Sequence, residues 1–420
     1  MQAVILAAGQ SSRFWPLNQK HKSLIRVMGR SLISYTIDGL RKSGIMDIVV
    51  VQGASRDIEK ELRDKKIKYI TQSKPLGMGD ALWQAKKLIK GPFLVLNAER
   101  VDIADILEII PNSDPLNFRS SLIGQKTKTP ELFGMMRMSG ERVLEIIEKP
   151  KEKPPSDIRV VGVYFLEPGF FKIYQKVKKH QYDFEDALSL YIKESRVRVR
   201  MLKKTEEETP FLKYPWHLFS IVKYLFDNNL KKNEVRKGEN VKIFKGAVIN
   251  GPCYIGDNCI VGNNAVVRDY TDLEEGAMVG ALAEVARSIF QKNSHCHSGY
   301  FGDSILGENC RAGAGTITAN VRLDRRNIKN TGLNSMGVIV GENTHIGINS
   351  SLMPGVLIGS NCVIGPSSVI FDNLEDGSIF YSKFDNHIRR ATHIPYTFSD
   401  KLKAYEKISN IQSAAKVVDR

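Results

Sequence analysis

The chain has 420 residues, 42% hydrophobic and 25% charged, the balance of a water-soluble globular protein and more chain than one ordinary core accommodates. No stretch approaches the roughly 18 consecutive apolar residues of a membrane span, and the apolar run 3–8 is too short, and lacks the basic flank, to be a signal sequence. A net charge of +15 suits anionic ligands, yet the lysines lie in short solvated runs without interleaved aromatics, which argues for a cytoplasmic protein with small-molecule partners and against nucleic acid or membrane.

In chain order, the first hundred residues alternate β-rich runs with amphipathic segments: a strand at 4–8, a helix at 31–42, strands at 47–52 and 67–71, a helix at 80–89 and a strand at 93–97. That alternation predicts an α/β, Rossmann-like domain with a mostly parallel sheet and helices on both faces. Strands at 144–147 and 160–165 and a helix at 215–230 complete it, and the polar stretch 231–240 marks a boundary. The organisation expected is a first domain at 1–232, a second at 233–385 and a basic tail at 386–420 with a helix at 400–417.

Beyond the boundary the period becomes six. Ile243, Ile249, Ile255, Val261, Val267, Leu273, Val279 and Val285 fall at successive intervals of six, as do Val340, Ile346, Leu352, Ile358, Ile364 and Ile370, and glycine follows many of them. Such hexapeptide repeats predict a left-handed parallel β-helix, a three-sided coil that stacks one aliphatic side chain per side into a dry column. Residues 286–337 break the period apart from Leu306 and Ala312, so they are expected to leave the coil as loops and to carry a site.

The five cysteines all lie in the second half, with no Cys-x-x-Cys pair. An odd number argues against a disulfide framework, and the six-residue step from Cys253 to Cys259 predicts core positions. His295-Cys296-His297 has the look of a metal motif, although alternate residues of any strand share a face.

The run Leu6-Ala7-Ala8-Gly9-Gln10-Ser11-Ser12-Arg13, then Pro16-Leu17 and Lys22, delivers a small-residue loop to the carboxyl edge of the sheet, where backbone N–H groups, Arg13 and Lys22 can meet a phosphate. It resembles the signature of sugar-1-phosphate nucleotidyltransferases. Gln72 with Gly77-Met78-Gly79-Asp80-Ala81, Asn97-Ala98-Glu99, Glu148-Lys149-Pro150 and Gly162-Val163-Tyr164 follow in that family's order. The resemblance implies that Leu6, Ala8, Gly9, Gln72 and Gly77 receive the nucleotide, and that Arg13 and Lys22 are the catalytic cations. It further implies that Gly134, Glu148 and Lys149 contact the sugar phosphate and that Glu99 and His217 hold magnesium. Five positions depart from the family: Ala98 and Glu99, in Asn97-Ala98-Glu99 where Asn-Gly-Asp is usual, His217 where a second carboxylate or Asn is usual, Ser23 in place of Pro and Met78 in place of Thr.

A second resemblance covers the break in the repeat. His297-Ser298-Gly299-Tyr300-Phe301-Gly302-Asp303, Gly307 and Gly313-Ala314-Gly315-Thr316-Ile317-Thr318-Ala319-Asn320 are similar to the acetyltransferase half of bifunctional UDP-N-acetylglucosamine pyrophosphorylases. This implies that His297 is the general base towards acetyl-CoA, that Tyr300 contacts the sugar phosphate and that Asn320 holds the sugar or the oxyanion. Arg322, Arg325, Arg326 and Lys329 follow in the loop. The family's Lys near Ala286 and its Asn at Arg311 are not kept. The resemblance implies a homotrimer using UTP or dTTP, a sugar-1-phosphate, acetyl-CoA and a divalent metal. Two alternatives stay open at this level: one live half on a degraded partner, or a non-catalytic regulatory or assembly subunit.

Overall fold

The computed structural model describes residues 1–108, 120–150, 152–205, 209–328 and 331–383, together with Lys403. The chain divides into two compact units, Met1–Ser382 and Lys383–Arg420. Apart from Lys403, the expected tail helix at 400–417 lies outside the described residues.

The first half is built on a nine-stranded sheet. Its parallel part places Gln2–Ala7 between Asp47–Gly53 and Phe93–Asn97, with Lys68–Gln72 outside. Val4, Ile5, Val50 and Leu96 are fully buried, as strands covered on both faces must be. Ile158–Leu166 then pairs antiparallel with Phe93–Asn97 and Ser121–Lys126, which makes the rest of the sheet mixed. Leu32–Lys42 is amphipathic, burying Leu32, Ile33, Ile37 and Leu40, and the expected helix at 80–89 is Met78–Gln84 followed by a 3-10 turn. The closing helix Leu218–Asn229 is entered through the 3-10 turn Pro215–His217, where proline costs no hydrogen bond.

The second half is the expected β-helix, three parallel sheets each made of strands from successive coils. Ile255, Val261, Val267, Leu273 and Val279 are fully buried in its core. Corners use Asn in left-handed backbone, and Asn293, Asn309, Asn343 and Asn361 link into a ladder through their amides.

The break in period is smaller in space than in sequence. Residues expected to leave the coil at 286 instead continue it: Ile289–Phe290, His295–Cys296, Gly299–Gly302, Ile305–Leu306, Arg311–Ala312 and Thr316–Thr318 are all strands of the three sheets. What changes is the step. Val285, Phe290, Cys296, Phe301 and Leu306 point inward at intervals of five or six, and Val285 pairs with Phe301, sixteen residues on, where Val267 pairs with Val285, eighteen on. Two buried phenylalanines, packed edge to face at 5.8 Å, fill the tightened coil. Among the described residues of 286–337, those after Thr318 depart from the three sheets, and Thr318 pairs with Leu352.

The two halves share a core. Phe14, Leu17, Val27, Met28 and Leu32 of the first pack with Ile289, Ile305 and Ile339 of the second. The hairpin Arg26–Ser31 presses on one sheet of the coil, its backbone N–H groups at Met28 and Gly29 donating to the buried carboxylates of Asp272 (3.2 Å) and Glu274 (3.0 Å). Gln291 bonds the Arg26 carbonyl at 3.0 Å, and Lys20 pairs with Glu308 at 2.8 Å.

Candidate functional sites

The loops that follow the parallel strands gather at one edge of the sheet, where open α/β sheets place ligands. A cavity of about 770 Å³ opens there, and Arg13, Lys22, Gly77, Glu99, Glu148 and Lys149 all line it. The first loop turns at Ser11 (φ 54°) and is pinned by Phe14, 1% exposed. Ser11 Oγ accepts from the Lys22 backbone N–H at 3.1 Å, which ties the two cation-bearing segments together. Gly9 also lines the cavity; Leu6 turns its side chain into the core and Ala8 packs against that core.

Lys22 Nζ donates to Glu99 Oε1 at 2.5 Å and to the Leu212 carbonyl at 2.7 Å. Glu99 is 7% exposed, and the pair compensates a carboxylate that burial alone would penalise. The alanine between Asn97 and Glu99 fits because its methyl is buried and its carbonyl accepts from the Thr36 hydroxyl at 2.9 Å. Ser23, the replacement for proline, donates its N–H to His21 Nδ1 at 3.2 Å, and burial pulls the His21 ring down to about 4.

Gln72 supports the cavity from behind. Its amide donates to the Gly77 carbonyl (3.2 Å) and to Asp80 Oδ2 (2.7 Å), fixing the turn at Gly77, whose φ of 113° and close approach to the Gln181 carbonyl exclude a side chain. On the opposite wall Gly134 pairs with Glu148, and a Cβ at 134 would sit 2.8 Å from Glu148 Oε2. Lys149, in left-handed backbone (φ 44°), donates its N–H to the Phe133 carbonyl and lies 3.8 Å from Glu148 Oε1.

His217 lies outside the residues that line this cavity. Its Nδ1 accepts the backbone N–H groups of Lys213 (3.1 Å) and Tyr214 (3.3 Å), so the ring proton sits on Nε2 and neither nitrogen is an open donor to a metal. Burial, with Lys213 and Lys22 adding like charge, holds the ring down to about 4. Its neighbours are the rings of Phe211, at 4.3 Å, Tyr214 and Trp216.

Arg159 and Lys213 line the cavity from outside every motif. Arg159 donates to Gln125 Oε1 at 2.6 Å through Nη2 and lies over the Phe133 ring at 4.2 Å. Lys213 enters from the segment before the closing helix, and burial together with the charges of Lys149 and Arg13 pushes its ammonium pKa down. Its position four residues before His217 is the only cue the sequence offers.

The second candidate site lies on the coil. His297 is exposed at a corner beside His295, with ring centroids 6.3 Å apart, while Cys296 between them is fully buried and its thiol is pushed up to about 12. The three side chains therefore do not converge on a metal, and no group of three His, Cys, Asp or Glu residues suited to one occurs among the described residues. All five cysteines are free and buried. Arg287 grips Asp303 with two bonds of 2.7 and 3.0 Å, and Asn320 donates to Asp303 Oδ2 at 2.5 Å. Asn320 thus joins Arg287 and Asp303 in one polar network at the base of the departing loop, where Asp303 and Asn320 carbonyls also accept from Gly337 and Met336. Tyr300 lies on the neighbouring strand Gly299–Gly302. Among the loop cations, Arg322 pairs with Asp324 at 2.6 Å, and Lys329 lies outside the described residues.

Residues 2–217 match the nucleotidyl transferase family, and residues 238–269 and 337–372 match the bacterial transferase hexapeptide (six repeats) family. The chain is 32% identical over 422 residues to "Bifunctional protein GlmU" of Methanococcus vannielii, covering 93% of this chain and all of that one. It is 33% identical over 412 residues to "Bifunctional protein GlmU" of Methanocaldococcus jannaschii, covering 91% and 98%. It is also 31% identical over 415 residues to the "Bifunctional sugar-1-phosphate nucleotidylyltransferase/acetyltransferase" of Sulfurisphaera tokodaii, covering 90% and 100%. A domain that matches from its first strand to His217, followed by hexapeptide coils and by relatives similar along nearly their whole length, makes the chain a member of the nucleotidyl transferase family in its two-domain, hexapeptide-bearing form.

Proposed function

We propose that this chain is a bifunctional enzyme that joins a sugar-1-phosphate to a nucleoside triphosphate in the first cavity and acylates an amino-sugar phosphate on the coil. The substrates that fit this reading are UTP with N-acetylglucosamine-1-phosphate, and acetyl-CoA with glucosamine-1-phosphate. A homotrimer in the cytoplasm belongs to the same reading; no helix among the described residues is long and apolar enough to cross a membrane.

The observation that carries the proposal is the meeting of Arg13, Lys22, Glu99, Glu148 and Lys149, distant in sequence, on one cavity. Transfer needs no covalent enzyme intermediate: a sugar-phosphate oxygen bonds to the α-phosphorus as the bond to pyrophosphate breaks. Catalysis is then positioning and neutralisation of phosphate charge by preorganised cations. Arg13 and Lys22 would meet the triphosphate; Lys149, oriented by Glu148, would meet the sugar phosphate. The oxygen donors Asn97 and Glu99 on the cavity floor suit a magnesium ion shared with substrate phosphates, and His217 does not. The ion would supply further charge neutralisation.

On the coil, His297 would take the proton from the attacking amine while the CoA thiolate leaves, and Tyr300 and Asn320 would orient the sugar. Pyrophosphate release from UTP with N-acetylglucosamine-1-phosphate, with magnesium, manganese or cobalt, tests the first half. Arg13→Ala should lower turnover about 100-fold; release that survives the substitution undiminished would place the chemistry elsewhere.

A further inference from the structure

Lys213 is a cavity cation that no motif explains. The segment carrying it is held on three sides. Leu212 is 4% exposed in the core shared by the two halves, and its carbonyl accepts from Lys22 Nζ at 2.7 Å. Phe211 packs edge to face on Phe133 at 5.8 Å. The Lys213 and Tyr214 N–H groups both end on His217 Nδ1. So braced, Lys213 lines the cavity with its ammonium 5.6 Å from the centroid of the Tyr214 ring, and no ion pair of it occurs among the described residues. The charges it feels most are those of Lys149 and Arg13, with Glu148 as the opposing carboxylate.

Three cations that line one cavity repel unless an anion lies among them. Their origins say which anion. Arg13 comes from the loop after the first strand, on the nucleotide side, and Lys149 from the end of the strand Arg142–Glu148, on the sugar-phosphate side. Lys213 stands with both.

We propose that Lys213 is a phosphate-contacting residue of the nucleotidyl-transfer reaction, placed where the sugar phosphate meets the α-phosphate, and that His217 is the positioning residue that aims it. This rests on the nucleotidyl-transfer reading. As the sugar-phosphate oxygen bonds to the α-phosphorus, the bond from that phosphorus to the bridging oxygen breaks, and its electron pair leaves with pyrophosphate. The non-bridging oxygens of the transferred group carry the charge Lys213 meets, so its contribution is larger in the transition state than in either bound substrate.

The test compares Lys213→Met, Lys213→Arg and His217→Ala with the wild type in pyrophosphate release from UTP and N-acetylglucosamine-1-phosphate. UTP binding is measured separately by calorimetry and folding by circular dichroism. We expect Lys213→Met to lower kcat about 100-fold while UTP binding changes by less than about threefold, and Lys213→Arg to recover most of the loss. His217→Ala should fall between them, in magnesium and manganese alike, because it acts through Lys213 and not through a metal. An active wild type with Lys213→Met within twofold of it overturns the proposal alone. So does a Lys213→Arg enzyme as impaired as Lys213→Met, which would make size and not charge the requirement. A variant that loses its circular dichroism spectrum makes Lys213 a structural residue, and that outcome too is against the proposal. A wild type silent with every substrate pair overturns the nucleotidyl-transfer reading and takes Lys213 with it.

Discussion

The two candidate sites are built in opposite ways. In the first half, polar side chains come from the ends of separate strands and converge on a concave cavity, so each is positioned by tertiary packing behind it: Gln72 behind Gly77, Thr36 behind Ala98, His217 behind Lys213. On the coil, Arg287, Asp303 and Asn320 come from successive turns, one coil apart, and the scaffold itself sets their spacing. A cavity of the first kind confines an anion among cations in a medium of reduced dielectric; a face of the second kind stays open to water on one side. Substitutions should therefore cut deepest where burial is greatest, and each should spare the other site.

The largest effect is expected at Lys22. Lys22→Ala removes a cation from the cavity and strands the buried Glu99 carboxylate, so pyrophosphate release should fall by about 100- to 1000-fold while acyl transfer is unchanged. Loss of both activities would mean that the two halves are not independent. On the coil, Asp303→Ala unties Arg287 and Asn320 at once. Acyl transfer from acetyl-CoA, followed by free thiol, should drop about 30-fold, a loss of about 2 kcal/mol, with pyrophosphate release intact. A smaller effect is expected from Gly134→Ala, whose methyl meets Glu148 at 2.8 Å and must push the carboxylate aside. Steady-state kinetics should show KM for the sugar-1-phosphate raised about tenfold with kcat less affected, the pattern of lost substrate positioning.

How much of this was legible in the sequence follows the same division. The coil was readable because its signal is local and repeated: each inward aliphatic announces itself six residues after the last. It misled only where Phe290 and Phe301 replace small aliphatics and shorten the step, so that a change of period looked like a departure from the coil. That the loop after the first strand lines the cavity was readable because strand, small residues and cations are contiguous from Leu6 to Lys22. Lys213, Arg159 and the true surroundings of His217 were not, since nothing near them in the chain specifies which cavity they reach. The same holds for Asp272 and Glu274, which look like ordinary hydrophilic positions in a repeat and instead lie buried beneath a hairpin more than two hundred residues away in sequence.

Those two carboxylates yield the mildest prediction, and one that couples the halves. Asp272 Oδ1 and Glu274 Oε1 accept from the hairpin, while Oδ2 and Oε2 are buried without donors, an arrangement that favours a proton shared between the side chains. Burial lifts both acids, Glu274 to about 7, and Arg26 is the cation that opposes it; Glu275 adds negative charge, and Tyr35 and Tyr254 are close by. Between the ordinary carboxylate range and about pH 7 this pair therefore holds more protons in the folded protein than in the unfolded chain. Its own contribution to stability is greatest below that window and is lost as pH rises through it, by at most about 1.4 kcal/mol per pH unit for one such group, while His21 and His217, held down to about 4 when folded, push the other way. Glu274→Gln, which keeps the shape and removes the charge, isolates the pair: in thermal unfolding from pH 5 to 8 the midpoint of the variant should gain on that of the wild type as pH rises. A difference between the two that stays constant across that range would mean that the pair does not titrate there, and would overturn the prediction.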